Sequence, residues 1–121
     1  MSRLLLLAAL ALLVSAPVFA ADITGTWTAS FDTQVGVQNY TYTFKVENGK
    51  LTGRAKSQNG DSEITEGKVD GDTVSFVENL NFQGMALRIE YTGKIAGEDE
   101  IKFTRKVADV ATEELVAKRS K

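Results

Sequence analysis

The sequence has no cysteine and no histidine, and only one proline and one tryptophan. Each absence removes a class of chemistry. Without cysteine there is no disulfide framework and no thiolate nucleophile. Without histidine there is no Ser-His-Asp triad and no imidazole-ligated zinc. Positive charge is also scarce, with 14 Lys and Arg against 16 Asp and Glu, and Arg3 is the sole charged residue before Asp22. A slightly acidic balance of this kind gives no electrostatic basis for capturing nucleic acid or an anionic membrane surface. No motif points to a cofactor. Asn59-Gly60-Asp61, Asp70-Gly71-Asp72 and Gly97-Glu98-Asp99-Glu100 lack the spacing of a calcium loop, so they read as turns and no metal site is expected.

The lone proline, Pro17, falls in a segment with its own logic. Arg3 supplies a positive start, Leu4 to Val14 is an unbroken apolar run, and Val18-Phe19-Ala20 places small residues where a signal peptidase cuts. The run is shorter than the roughly 20 residues needed to span a bilayer. Residues 1–20 are therefore expected to be a signal peptide cleaved after Ala20. The mature chain, residues 21–121, is expected to be one secreted or periplasmic domain with no membrane attachment.

Residues 21–121 alternate apolar and polar side chains in segment after segment, the period-2 pattern of half-buried strands. Trp27, Ala29 and Phe31 alternate first, followed by Tyr40, Tyr42, Phe44 and Val46, then Leu51, Gly53 and Ala55. A fourth strand over about 63–70 changes phase, because Ile64 and Val69 have opposite parity, so a bulge is expected near Gly67. Val74 and Phe76 mark the fifth strand, Met85 to Ile95 the sixth, and Ile101 and Phe103 the seventh. The tail admits a helix capped by Thr112-Glu113-Glu114, or an eighth strand with Leu115 and Ala117 inward. The strand is preferred, because it closes the sheet and removes its exposed edges. The expected fold is all-β, an eight-stranded antiparallel up-and-down barrel, with a β-sandwich as the alternative.

In such a meander the short turns at Asn48-Gly49, Asp70-Gly71-Asp72 and Ala96–Asp99 share one end. The connections at Thr33–Val37, Ser57–Asp61, Asn79–Gly84 and Ala108–Ala111 share the other, and read as longer loops around a mouth. That mouth would collect Gln34, Gln58, Asn59, Asn79, Asn81 and Gln83, with Phe82 exposed among them. Amides beside a flat aromatic face suit sugar hydroxyls and pyranose rings. Arg105 reaches the same end and reads as a salt-bridge partner or a stem packed beneath the opening. Glycoside hydrolysis needs two carboxyl groups, and Glu63, Glu78 and Asp61 are weak candidates for such a pair. The interior offers a third possibility. Tyr40, Tyr42 and Tyr91 beside small residues either fill the core or line a pocket for a small apolar ligand.

Gly25-Thr26-Trp27 opens the first strand and resembles the G-x-W start of calycin-type barrels, the lipocalins and their relatives. In that superfamily a basic residue late in the final strand packs across the tryptophan. The resemblance with the meander order implies Arg119 as the partner of Trp27, and places Arg105 far from it. A wider resemblance runs through Phe31–Phe44, Glu66–Asp72 and Ile101–Val107. These stretches look like a small secreted bacterial domain found alone or beside polysaccharide-degrading and esterase domains, often named endo-1,4-beta-xylanase or glycoside hydrolase. It implies a binding or accessory role in xylan-type degradation, beside a secreted polysaccharide-degrading enzyme. A glycosidase-type hydrolase and a lipocalin-like carrier of an apolar ligand are the alternatives.

Overall fold

In the computed structural model, which describes residues 22–120, the alternating segments become eight antiparallel strands. They are β1 (Gly25–Thr33), β2 (Gly36–Glu47), β3 (Lys50–Ser57), β4 (Gly60–Asp70), β5 (Thr73–Phe82), β6 (Met85–Ile95), β7 (Glu100–Val107) and β8 (Ala111–Arg119). Each pairs with its sequence neighbour, and β8 returns to β1, so the sheet is a closed up-and-down barrel rather than a sandwich. The tail is the eighth strand. The expected leader lies outside the described residues.

Inward positions are filled by large residues opposite small ones. Gly93 pairs with Phe103, Ala55 with Tyr42, and Ala29 with Tyr40. A Cβ on Gly93 would overlap the Phe103 ring, so the glycine makes room for the phenylalanine. The rings of Tyr42, Phe44, Phe76, Tyr91 and Phe103 pack in offset and edge-on contacts with centroids 4.2–6.1 Å apart. The tyrosines therefore fill the middle of the barrel.

The phase change in β4 is a bulge, where the ladder skips between Thr65 and Lys68 and Glu66 adopts a left-handed φ of 54°. Gly67 lies so close to the Leu51 backbone that no side chain fits. The bulge lets both Ile64 and Val69 point inward.

One end is sealed. Ile23 is buried ahead of β1 and its carbonyl accepts a hydrogen bond from Trp27 Nε1 at 2.9 Å. The Arg119 guanidinium sits 4.6 Å from the centre of the Trp27 ring, the partner that the resemblance together with the meander order implied. It donates to the carbonyls of Glu98 at 3.0 Å and Thr24 at 3.1 Å. The seam itself is brief: Trp27 pairs with Arg119 and Thr28 with Lys118, and towards the mouth β1 and β8 lose register. An open cleft on the barrel wall, lined by Ser30, Asp32, Glu114 and Val116 among others, follows that divergence.

Candidate functional site

The second end was expected to carry longer loops, and it does not. Its four turns are Gln34-Val35, Gln58-Asn59, Gln83-Gly84 and Ala108-Asp109-Val110. Gln34, Gln58, Asn59 and Gln83 do lie in these turns, but β5 runs on through Asn79 and Asn81, where a loop was expected. Gln83 and Gly84 both take positive φ, 52° and 81°, which makes a two-residue hairpin turn like that at Asn48-Gly49. β5 consequently extends to Phe82 and continues the inward phase of Val74, Phe76, Glu78 and Leu80.

This moves several expected site residues. Phe82 is half-buried at the inward end of β5, packed against the core, and is not an exposed platform. Asn79 and Asn81 project from the outer face, where Asn79 Nδ2 donates to Thr65 Oγ1 at 3.2 Å. Gln83 is exposed at the turn. Gln58 is committed to the backbone: its Oε1 accepts from Asn39 N at 3.0 Å, and its Nε2 donates to Val37 O at 2.9 Å. Of the amides proposed for a sugar site, Gln34 and Asn59 reach the mouth pocket with Phe82. Asn59 Nδ2 donates to Oε1 of buried Gln38 at 2.6 Å.

The acids also separate. Asp61 and Glu63 are exposed, because the bulge reverses the phase that would have turned Glu63 inward with Val69. Glu78 is inside and fully buried. No carboxyl pair forms from these three.

What the barrel does assemble is a polar cluster around Glu78 and Arg105. The register sets Arg105 between Tyr91 on β6 and Glu113 on β8. Its Nε donates to Tyr91 OH at 2.9 Å, one terminal nitrogen to Glu113, and the other to Tyr40 OH at 2.9 Å. That last nitrogen also lies 3.7 Å from Glu78. Glu78 accepts from Tyr91 OH at 2.8 Å, Tyr40 OH at 2.9 Å and Ser62 Oγ at 3.5 Å. The Tyr91 proton is thus used on Glu78, so across the 2.9 Å contact between Tyr42 and Tyr91 it is Tyr42 that donates. Among the described residues no buried side-chain polar atom lacks a partner.

Burial pushes the Glu78 carboxyl above the ordinary carboxylate range, while Arg105 and the three hydroxyls pull it back part of the way. Burial likewise raises Tyr42 and Tyr91 well above a free phenol. For Arg105 burial works against the charge, but the two tyrosines, Glu78 and Glu113 outweigh it and hold the guanidinium protonated.

Above this cluster lies a pocket of about 240 Å³ at the mouth. Leu80, Phe82, Leu87, Ile89, Val107 and Ala111 form its walls, and Arg105, Glu113, Gln38 and Asn59 supply its polar groups. Val35, Met85 and Val110 line its rim, each more than 60% exposed. Sequence reasoning missed Glu113 and Gln38. Their inward parity, shared with Leu115 and Tyr40, was the available signal.

The sequence matches no family model and no curated protein. Two solved structures share the architecture. A redesigned β-barrel, mFAP1, bound to DFHBI superposes with a TM-score of 0.58 at 12% identity, covering 81% of this chain and 94% of the other. EF1p2_mFAP2b bound to DFHBI gives a TM-score of 0.53 at 10% identity, with the same coverage. The likeness is one of fold.

Proposed function

We propose that this barrel binds a small, largely apolar molecule in the pocket at its mouth. The observation that carries the reading is the contrast between the two ends. One is closed by Ile23, Trp27 and Arg119, and the other opens on an apolar pocket above a fixed polar floor. A concave apolar site with a few oriented polar groups is the usual form of a small-molecule site. The exposed Val35, Met85 and Val110 extend the apolar surface around the entrance. That two barrels of similar fold are bound to a small ligand supports the reading. We further propose, from the leader-like sequence of residues 1–20, a secreted or periplasmic setting for this binding.

The carbohydrate and hydrolase readings draw less support. Asn79 and Asn81 face away from the pocket, and Glu78 touches no solvent.

The test is a fluorescence titration of residues 21–121 with N-phenylnaphthylamine, an uncharged apolar probe, beside a calorimetric titration with xylo-oligosaccharides. Saturable probe binding that is lost in Leu87→Trp, which fills the pocket, is expected, with no sugar binding. Probe binding unchanged in Leu87→Trp, or saturable sugar binding alone, overturns the proposal.

A further inference from the structure

The pocket floor has an uneven charge count. Among the described residues Arg105 and Glu113 are the only charged ones lining the pocket, and behind them stands the carboxyl of Glu78. One guanidinium therefore faces two acids. Three of its five N–H donors are directed at protein acceptors, Nε to Tyr91, one terminal nitrogen to Glu113 and the other to Tyr40, and this last nitrogen also lies 3.7 Å from Glu78 in an ion pair. The Glu113 side chain is itself 10% exposed, so a carboxylate as well as a guanidinium meets whatever enters. Asp109, in the turn between β7 and β8, adds a further acid at this end, and no basic residue occupies any of the four mouth turns.

We propose that the mouth pocket selects uncharged ligands, and that Glu113 is the residue that excludes anions. The inference rests on the mouth being a binding site. An anion entering the pocket leaves water for apolar walls, and that transfer is unfavourable without a cation free to receive it. The one cation present is already engaged by Glu113 in a charge-assisted bond, and the Glu113 carboxylate repels a second negative group. The floor carries no net positive charge whether Glu78 is ionised or protonated. With both acids ionised it is negative. An uncharged ligand meets neither obstacle, and has Gln38 and Asn59 for a single oriented hydrogen bond. Glu113 therefore sets the charge class of the ligand while Leu80, Phe82, Leu87 and Ile89 set its shape.

The experiment uses two probes that differ by one sulfonate, N-phenylnaphthylamine and anilinonaphthalene sulfonate. Each is titrated against wild type, Glu113→Gln and Glu113→Thr, with circular dichroism confirming the fold of the variants. The readout is the ratio of the two affinities, so a general change in the pocket cancels. Wild type is expected to bind the uncharged probe at least about tenfold more tightly, and the variants to narrow that ratio to about threefold or less. A wild-type ratio near one overturns the proposal whatever the variants do. An unchanged ratio in a folded variant removes Glu113 from the role and overturns it equally. If neither probe binds wild type, the mouth reading fails first. Equal binding of both leaves that reading standing and sinks the selectivity alone.

Discussion

Replacing Arg105 with methionine keeps the length of the apolar stem and removes the guanidinium from a site where it is 4% exposed. Three hydrogen bonds, to Tyr91, Glu113 and Tyr40, disappear together with the ion pair to Glu78. Breaking a buried pair by removing one partner costs about 3–5 kcal/mol. Here the lower end applies, because Glu78 retains Tyr40, Tyr91 and Ser62 as donors and can take up a proton. We expect Arg105→Met to lower stability by about 3 kcal/mol, a large share of the roughly 5–15 kcal/mol available to a domain. Glu78→Gln removes the charge and leaves an amide among hydroxyls, at a cost of about 2 kcal/mol. The double variant should lose about 3 kcal/mol rather than the sum, since without the cation a neutral side chain at 78 is the better occupant. Urea unfolding followed by Trp27 emission measures all three, because Trp27 is the sole tryptophan, fully buried, and sits at the opposite end of the barrel. A loss under about 1 kcal/mol in Arg105→Met, or strict additivity in the double variant, would refute the view that the cluster acts as a unit.

Three further outcomes follow from the same structure. The Glu78 carboxyl is raised in the fold above its ordinary 4.5, so the folded state binds the extra proton; its contribution to stability is full below about 4.5 and fades as pH rises through the raised value, a slope that Glu78→Gln should abolish in urea midpoints taken across the acid-to-neutral range. Arg119→Ala removes the guanidinium over Trp27 and its bonds to three carbonyls, and should cost about 2 kcal/mol with Arg119→Lys in between, read as a melting temperature lower by roughly 4–8 °C per kcal/mol. Gly93→Val forces a side chain into the Phe103 ring and should cost about 1–3 kcal/mol in chemical denaturation, whereas Val116→Thr on the outer face should be near neutral.

Much of the fold could be read from alternation alone. The eight strands, the meander order and the bulge beside Gly67 follow from parity and turn residues, whereas the Trp27–Arg119 contact needed the resemblance to calycin-type barrels as well. The mouth was harder, because side-chain chemistry and strand parity disagree there. Asn79 and Asn81 are turn-favouring residues that nevertheless lie within β5, which ends at the two-residue turn Gln83-Gly84. Phe82 looked exposed through its neighbours, yet it shares the parity of Leu80. Glu63 was misplaced because parity does not carry across a bulge. The polar cluster was the least legible part. Its members come from β2, β4, β5, β6, β7 and β8, and only closure of the sheet brings Tyr40 and Glu78, 38 residues apart, within 2.9 Å.

The brevity of the β1–β8 seam has a consequence for how the chain is ordered in time. Seven of the eight pairings join consecutive strands through short turns, so they are local contacts that form without long searches. The eighth links Trp27 and Thr28 to Arg119 and Lys118, roughly 90 residues apart in sequence, and is the one pairing between strands that are not consecutive. Only after that closure does the Trp27 indole acquire its guanidinium cover. Because Ser120 N already reaches Thr26 O at 2.8 Å, a short linker joining residues 120 and 22 would remove most of that search, and the polypeptide would become a circle whose opening point is a matter of choice.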